Sequence, residues 1–108
     1  MINSTNSDCI ENCSNCHDVC LRTAMNHCLR VGGKHIEPEH FKLMMDCAKM
    51  CATSADFQLS NSVFAPQVCG VCAKICTACA DSCEEVGDMD ECVAACRKCA
   101  ESCKEMAA

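Results

Sequence analysis

The chain has no tryptophan and no tyrosine, and its only large aromatic residues are Phe41, Phe57 and Phe64. Aliphatic residues are scarce as well. Four Leu, four Ile and seven Val, taken with Phe, make up about one residue in six. A chain this poor in core-forming hydrocarbon, with a net charge of −6, falls in the range of disordered sequences. Either it does not fold, or something else fills its core. Its sixteen cysteines are the only group numerous enough to do so.

Other absences narrow the setting. Residues 1–8 hold no basic segment, no twin arginine and no apolar run, so no export signal is visible. Nowhere does an apolar run approach the ~18 residues of a membrane span. The acidic balance leaves no basic patch to meet phosphates, which argues against a nucleic-acid partner. A cysteine-dense chain without an export signal is expected in the cytoplasm, where lasting disulfides are rare. Free thiols at this density point to metal. The length suits one domain over residues 1–108, with a flexible N-terminus over 1–7.

The cysteines come in phased groups: Cys9, Cys13, Cys16, Cys20 and Cys28; Cys47 and Cys51; Cys69, Cys72, Cys76, Cys79 and Cys83; Cys92, Cys96, Cys99 and Cys103. Nearly every step within a group is three or four residues, which keeps side chains on one face of a helix. Cys9, Cys13, Cys16 and Cys20 fall within about 60° of one another on a helical wheel. This is the spacing of a bundle seam, with Cys where Leu would stand. Gly32-Gly33, Pro38, Pro66 and Gly87 punctuate the pattern, and Asp8 with Glu11 and Asp88 with Glu91 offer capping pairs. Helices are expected near 8–31, 38–61, 65–86 and 88–106. Their short connections predict an all-α, antiparallel, up-down-up-down four-helix bundle with a Cys-lined core.

Seven Cys-x-x-x-Cys pairs can be drawn along these stripes. On a helix, residues four apart have Cβ atoms ~5–6 Å apart, so two thiolates can grip one ion from opposite sides. Copper(I) is soft, prefers thiolate and accepts two ligands, so one helical turn can complete a site. Zinc requires four ligands in a tetrahedron, so it needs stripes from different helices to converge, and it stays a rival. Bridging thiolates would raise the load towards one copper per cysteine, the capacity of a store. Cys28 and Cys69 fall outside the seven pairs and need bridging or partners on another helix. Cys28 is also displaced from the stripe of the first helix.

Other cysteine chemistries fit less well. Cys13-Ser14-Asn15-Cys16-His17 matches the c-type haem attachment signature, but its cysteines already belong to a stripe. The chain has no Cys-Pro and no ferredoxin-type run. A thiol redox enzyme would place Cys-x-x-Cys after a strand, and no strand pattern is visible. Nothing resembles a catalytic constellation, so the chain is read as a binding protein and not an enzyme.

Antiparallel packing would gather the end of the first helix and the start of the second beside Met89. His40 and Met44 continue the Cys47 stripe there, as weaker ligands at a mouth or as a surface residue and a core plug. His27 falls on the first stripe, yet His27, His35 and Met25 are read as structural. At the other end Ser54 and Gln58 continue the Cys47 stripe without metal-binding groups.

The run from Val68 through Cys69, Cys72, Cys76 and Cys79 to Cys83, and the run Cys92 through Cys96 and Cys99 to Cys103, resemble the four-helix-bundle copper storage proteins of bacteria. Without an export signal, the chain is similar to their cytosolic branch. The resemblance implies many copper(I) ions per chain, often in a homotetramer, for storage or detoxification, with copper donor or acceptor proteins as partners. Carried across by position, all sixteen cysteines match the family's inward-facing ligands. His40 and Met44 are the best match to the His and Met groups at its bundle opening.

Overall fold

The structure is a computed structural model and describes residues 4–108; residues 1–3, the start of the stretch expected to be flexible, lie outside the described residues. Helix α1 begins at Ser4 and runs as regular α-helix to Thr23. It then widens into a π-helical turn, Ala24–Cys28, and finishes on one more α-helical turn, Leu29–Val31. A 3-10 turn, Gly33–Ile36, leads into α2, Pro38–Leu59. Helix α3 spans Ala65–Val86 and α4 spans Asp90–Ala107.

The stops lie where glycine permits left-handed backbone. Gly32 (φ 74°) ends α1 and Gly87 (φ 84°) ends α3. The two expected capping pairs do not form. Helix α1 starts four residues before Asp8, because nothing in Ser4-Thr5-Asn6-Ser7 breaks a helix, so Asp8 and Glu11 lie inside it. Asp88 takes a left-handed turn (φ 56°) ahead of α4, and the N-cap position falls to Met89, which makes no side-chain cap. Helix α2 stops two residues short of the expected 61, since Asn61 has already turned left-handed (φ 53°).

Each helix packs on its neighbours in the chain, and α1 closes the square against α4. The antiparallel four-helix bundle that the spacing predicts is therefore the fold, a rod of 45 × 20 × 19 Å. Its interior is thiol, flanked by small side chains such as Ala48, Ala73 and Ala80. Short side chains let the helices approach until sulfurs on diagonally opposed helices meet, as Cys47 on α2 and Cys96 on α4 do at 3.7 Å. Buried Cys behaves as a small hydrophobe, so this core holds the fold together modestly. Glu84, Glu85, Lys98, Glu101, Lys104 and Glu105 face solvent, as the stripes predict.

Candidate metal centre

All sixteen cysteines are free and at most 1% exposed. Pairs four residues apart hold their sulfurs 3.8–4.0 Å from each other, as in Cys16/Cys20 and Cys79/Cys83. The closest contacts between helices are shorter. Cys20 Sγ lies 3.4 Å from Cys92 and 3.6 Å from Cys96, Cys51 Sγ is 3.4 Å from Cys76, and Cys13 Sγ is 3.5 Å from Cys103. The stripes therefore do not act as four separate ladders. They merge into one sulfur column down the bundle axis.

Four quartets of thiols have all their sulfurs within 4.8 Å of one another: Cys13/Cys72/Cys99/Cys103, Cys16/Cys20/Cys47/Cys96, Cys16/Cys51/Cys76/Cys99 and Cys20/Cys79/Cys92/Cys96. Cys9, Cys69 and Cys103 form a triplet at one end. A tetrahedral zinc site with ~2.3 Å bonds has sulfurs about 3.8 Å apart, so each quartet matches zinc in size. Sharing decides capacity. Because Cys16, Cys20, Cys96 and Cys99 each belong to two quartets, only two quartets can be filled at once by separate four-coordinate ions. Ions that need two or three sulfurs and tolerate bridging use the shared sulfurs without this limit.

One end of the column carries softer-gripping groups. Met44 is fully buried, with its Sδ 3.4 Å from Cys83 and 3.8 Å from both Cys79 and Cys92. It continues the sulfur column by one thioether. His40 is 5% exposed; its Nδ1 lies 2.7 Å from the Ser82 hydroxyl, and its buried Nε2 has no partner among the described residues. A recess of about 240 Å³, rimmed by Glu37, Glu39 and Glu85 against the single basic residue Lys34, reaches His40. A second, rimmed by Asp88, Asp90 and Glu91, reaches Cys92. Both openings carry acidic groups, which attract cations.

The π-helical turn explains Cys28. On an unbroken α-helix, Cys28 would sit about 80° from Cys20. The π turn takes up one extra residue, which returns Cys28 to within about 20° of that face. Cys28 is accordingly fully buried and lies 3.7 Å from Nδ1 of His35. The same rotation moves His27 off the stripe on which simple phasing puts it. His27 instead stands edge-on to His35 at 5.0 Å, with Nε2 3.5 Å from the Asp88 carboxylate. His35, read from the sequence as structural, is 7% exposed and touches a thiol. No periodic signal could reveal this, because His35 lies in a 3-10 connection.

At the opposite end the α2 stripe turns polar. Ser54 is fully buried, with its hydroxyl 3.5 Å from Cys13 Sγ, 3.7 Å from Cys69 and 3.9 Å from Cys103. Gln58 is 2% exposed and donates from Nε2 towards Ser54 Oγ (3.2 Å) and Cys13 Sγ (3.7 Å).

Thiol contacts perturb acidity throughout the column. The neighbouring thiols of Cys79 and Cys92 hold the Cys83 thiol down at about 4, with further help from nearby His40. Cys16 and Cys20 push Cys96 up to about 11. Burial raises Cys28 and lowers His40, which favours a neutral imidazole. Metal binds the thiolate form, so an entering ion must displace protons from thiols that burial and neighbours hold neutral, such as Cys28 and Cys96.

A helical bundle with a shared thiol column down its axis is built to bind soft metal ions. A family model described as copper storage protein matches residues 2–108. The chain belongs to that family. A protein of Nitrosospira multiformis with a crystal structure is 56% identical and superposes with a TM-score of 0.96, over 98% of this chain and 97% of that one. The Cu(I)-bound copper storage protein BsCsp3 is 33% identical, with a TM-score of 0.87 over 97% of this chain and 100% of that one. The apo form of copper storage protein 3 from Bacillus subtilis is 33% identical, with a TM-score of 0.78 over 94% of this chain and 98% of that one. No curated protein matches the chain.

Proposed function

We propose that the chain stores many copper(I) ions on its cysteine column and returns them on demand, without catalysing a reaction. The sharing of sulfurs between quartets carries this reading. Zinc as a tetrahedral four-thiolate ion fills two quartets and leaves the other thiols idle. Copper(I), satisfied by two or three soft ligands, can use all sixteen. Cys9, Cys13, Cys16, Cys20, Cys28, Cys47, Cys51, Cys69, Cys72, Cys76, Cys79, Cys83, Cys92, Cys96, Cys99 and Cys103 serve as ligands in this account. The copper-bound relative supports it, since this chain matches that structure end to end.

His40 and Met44 form the threshold of the column. Met44 hands ions between the last thiols and His40, whose unpartnered Nε2 is a free donor at the acidic opening. Among the described residues no helix is long and apolar enough to cross a membrane. A cytoplasmic site follows from the free thiols the chemistry requires. Homotetramer formation follows from the family resemblance and gains support from exposed apolar side chains, among them Leu59, Val63 and Phe64 at one end of the bundle.

The metal content of protein purified anaerobically from cells given both copper and zinc tests the reading. Many copper ions per chain and little zinc are expected. Two or three zinc ions and no copper would replace storage with a zinc-buffer function.

A further inference from the structure

Helix α2 is the odd strand of the array. Its inward stripe reads His40, Met44, Cys47, Cys51, Ser54 and Gln58, all buried. The other three helices carry thiols to the closed end, in Cys9, Cys69 and Cys103, whereas α2 ends there on a hydroxyl and a primary amide. Ser54 sits between the sulfurs of three helices: its Oγ accepts from the neutral Cys13 thiol at 3.5 Å, a bond that must reverse once Cys13 is a thiolate, and lies 3.7 Å from Cys69 and 3.9 Å from Cys103. A thiol at this position would belong to the column. Gln58 turns its amide nitrogen inward, to Ser54 and Cys13, and its buried Oε1 accepts from no group among the described residues.

That orientation has a chemical meaning. Thiols are weak donors and weak acceptors, so a column of neutral thiols gives an amide little reason to point either way. Thiolates are acceptors only and bear charge, and hydrogen bonds to charged acceptors are the strong ones. Each copper(I) brings one positive charge and each thiolate one negative charge. A cluster with fewer coppers than thiolates is therefore anionic, and among the described residues no Lys or Arg is buried beside it. Neutral N–H and O–H donors at the closed end offset that charge where solvent cannot.

We propose that Ser54 and Gln58 are positioning residues that terminate the copper array: they donate hydrogen bonds to the thiolates of Cys13 and its neighbours once metal has displaced the thiol protons, and Ser54, by standing where a thiol would, fixes the size of the last cluster. This rests on the copper storage reading. Ser54 occupies a ligand position and withholds a ligand. Gln58 holds Cys13 in its acceptor role and takes no copper itself, since an amide oxygen is a poor partner for a soft ion.

Wild type, Ser54→Cys and Gln58→Leu are titrated with Cu(I) under anaerobic conditions against a Cu(I) chelator. Ser54→Cys is expected to take up about one more ion per chain, because its sulfur would join three others. Gln58→Leu is expected to keep the wild-type capacity but to hold its last ions about tenfold or more weakly, as loss of a ligand's outer hydrogen bond does elsewhere. The amide itself gives an independent readout. The chain has only two glutamines, and the other, Gln67, is exposed. In ¹⁵N-labelled protein carrying Gln67→Glu, the remaining Gln side-chain signal is expected to shift as the closed end fills. An unchanged capacity in Ser54→Cys, or an unmoved amide signal, overturns the proposal whether or not Gln58→Leu folds. A wild type that takes no copper overturns this proposal and the storage reading together. A wild type that fills while the variants match it overturns this proposal alone.

Discussion

Cys20 and Cys92 stand 72 positions apart in the chain, yet their sulfurs lie 3.4 Å apart in the bundle axis. That contact is shorter than the 3.8 Å between Cys16 and Cys20 on one helix. Metal sites in this protein therefore belong to the bundle and not to single helices, and filling them should tie the helices together.

The first consequence is stability. The metal-free core is thiol and alanine, with little hydrocarbon to hold four helices together. A ligand present at about a thousand times its Kd stabilises a folded protein by about 4 kcal/mol for each site. In a domain of this size that corresponds to a rise in Tm of more than about 15 °C. Thermal unfolding followed by far-UV circular dichroism, with reduced apo and Cu(I)-loaded protein side by side, checks this.

Much of the architecture was legible in the cysteine spacing, because steps of three and four report helix phase directly. The inward faces of Ser54 and Gln58 follow from that rule, and Pro66 and Gly87 add the span of α3. Cys28 shows where it fails. Ala24-Met25-Asn26-His27-Cys28 is ordinary helical sequence, and only packing selects the π turn that brings its cysteine inward. Asp88 fails for another reason: a cap pattern identifies a side chain able to cap, but the left-handed backbone aims it elsewhere. Convergence of stripes depends on helix separation, which spacing does not encode.

The π turn makes its own prediction. Deleting Asn26, an exposed residue within it, should convert the turn to regular α-helix while leaving Cys28 on the inner face. Cys28 should stay as unreactive towards a bulky alkylating reagent as in the wild type, read by mass spectrometry on the folded apo protein. Rapid labelling of Cys28 would show that the phase argument is wrong.

Distributed storage predicts partial losses. Cys79 and Cys83 sit at the Met44 end, and only Cys79 belongs to a quartet. Replacing both with Ser should lower copper capacity by a few ions and leave the rest of the column working. Loss of all binding would instead indicate one cooperative cluster.

His40 and Met44 should govern rate more than capacity. His40→Ala with Met44→Leu removes two weak donors and no thiolate. Loading from a weak Cu(I) chelate, followed by the rise of ultraviolet thiolate-to-copper absorption, should slow several-fold, while the final uptake falls by no more than an ion or so. An unchanged rate would make both residues packing groups.

Loading also displaces protons, because each ligand binds as thiolate. Copper uptake should accordingly weaken as pH falls, and an unbuffered sample should acidify in proportion to the ions bound. A pH-meter trace recorded during loading checks both.

The central claim is that shared thiols give this bundle a capacity that isolated tetrahedral sites cannot reach. Its most direct test is an anaerobic titration of reduced apo-protein with Cu(I) against a strong chelator, with zinc as the parallel arm. Cu(I) should saturate at many ions per chain, approaching the sixteen thiols, and zinc at two or three, the two quartets that can fill together and the Cys9/Cys69/Cys103 triplet. Saturation at one or two coppers, or zinc displacing copper from the loaded protein, would contradict it.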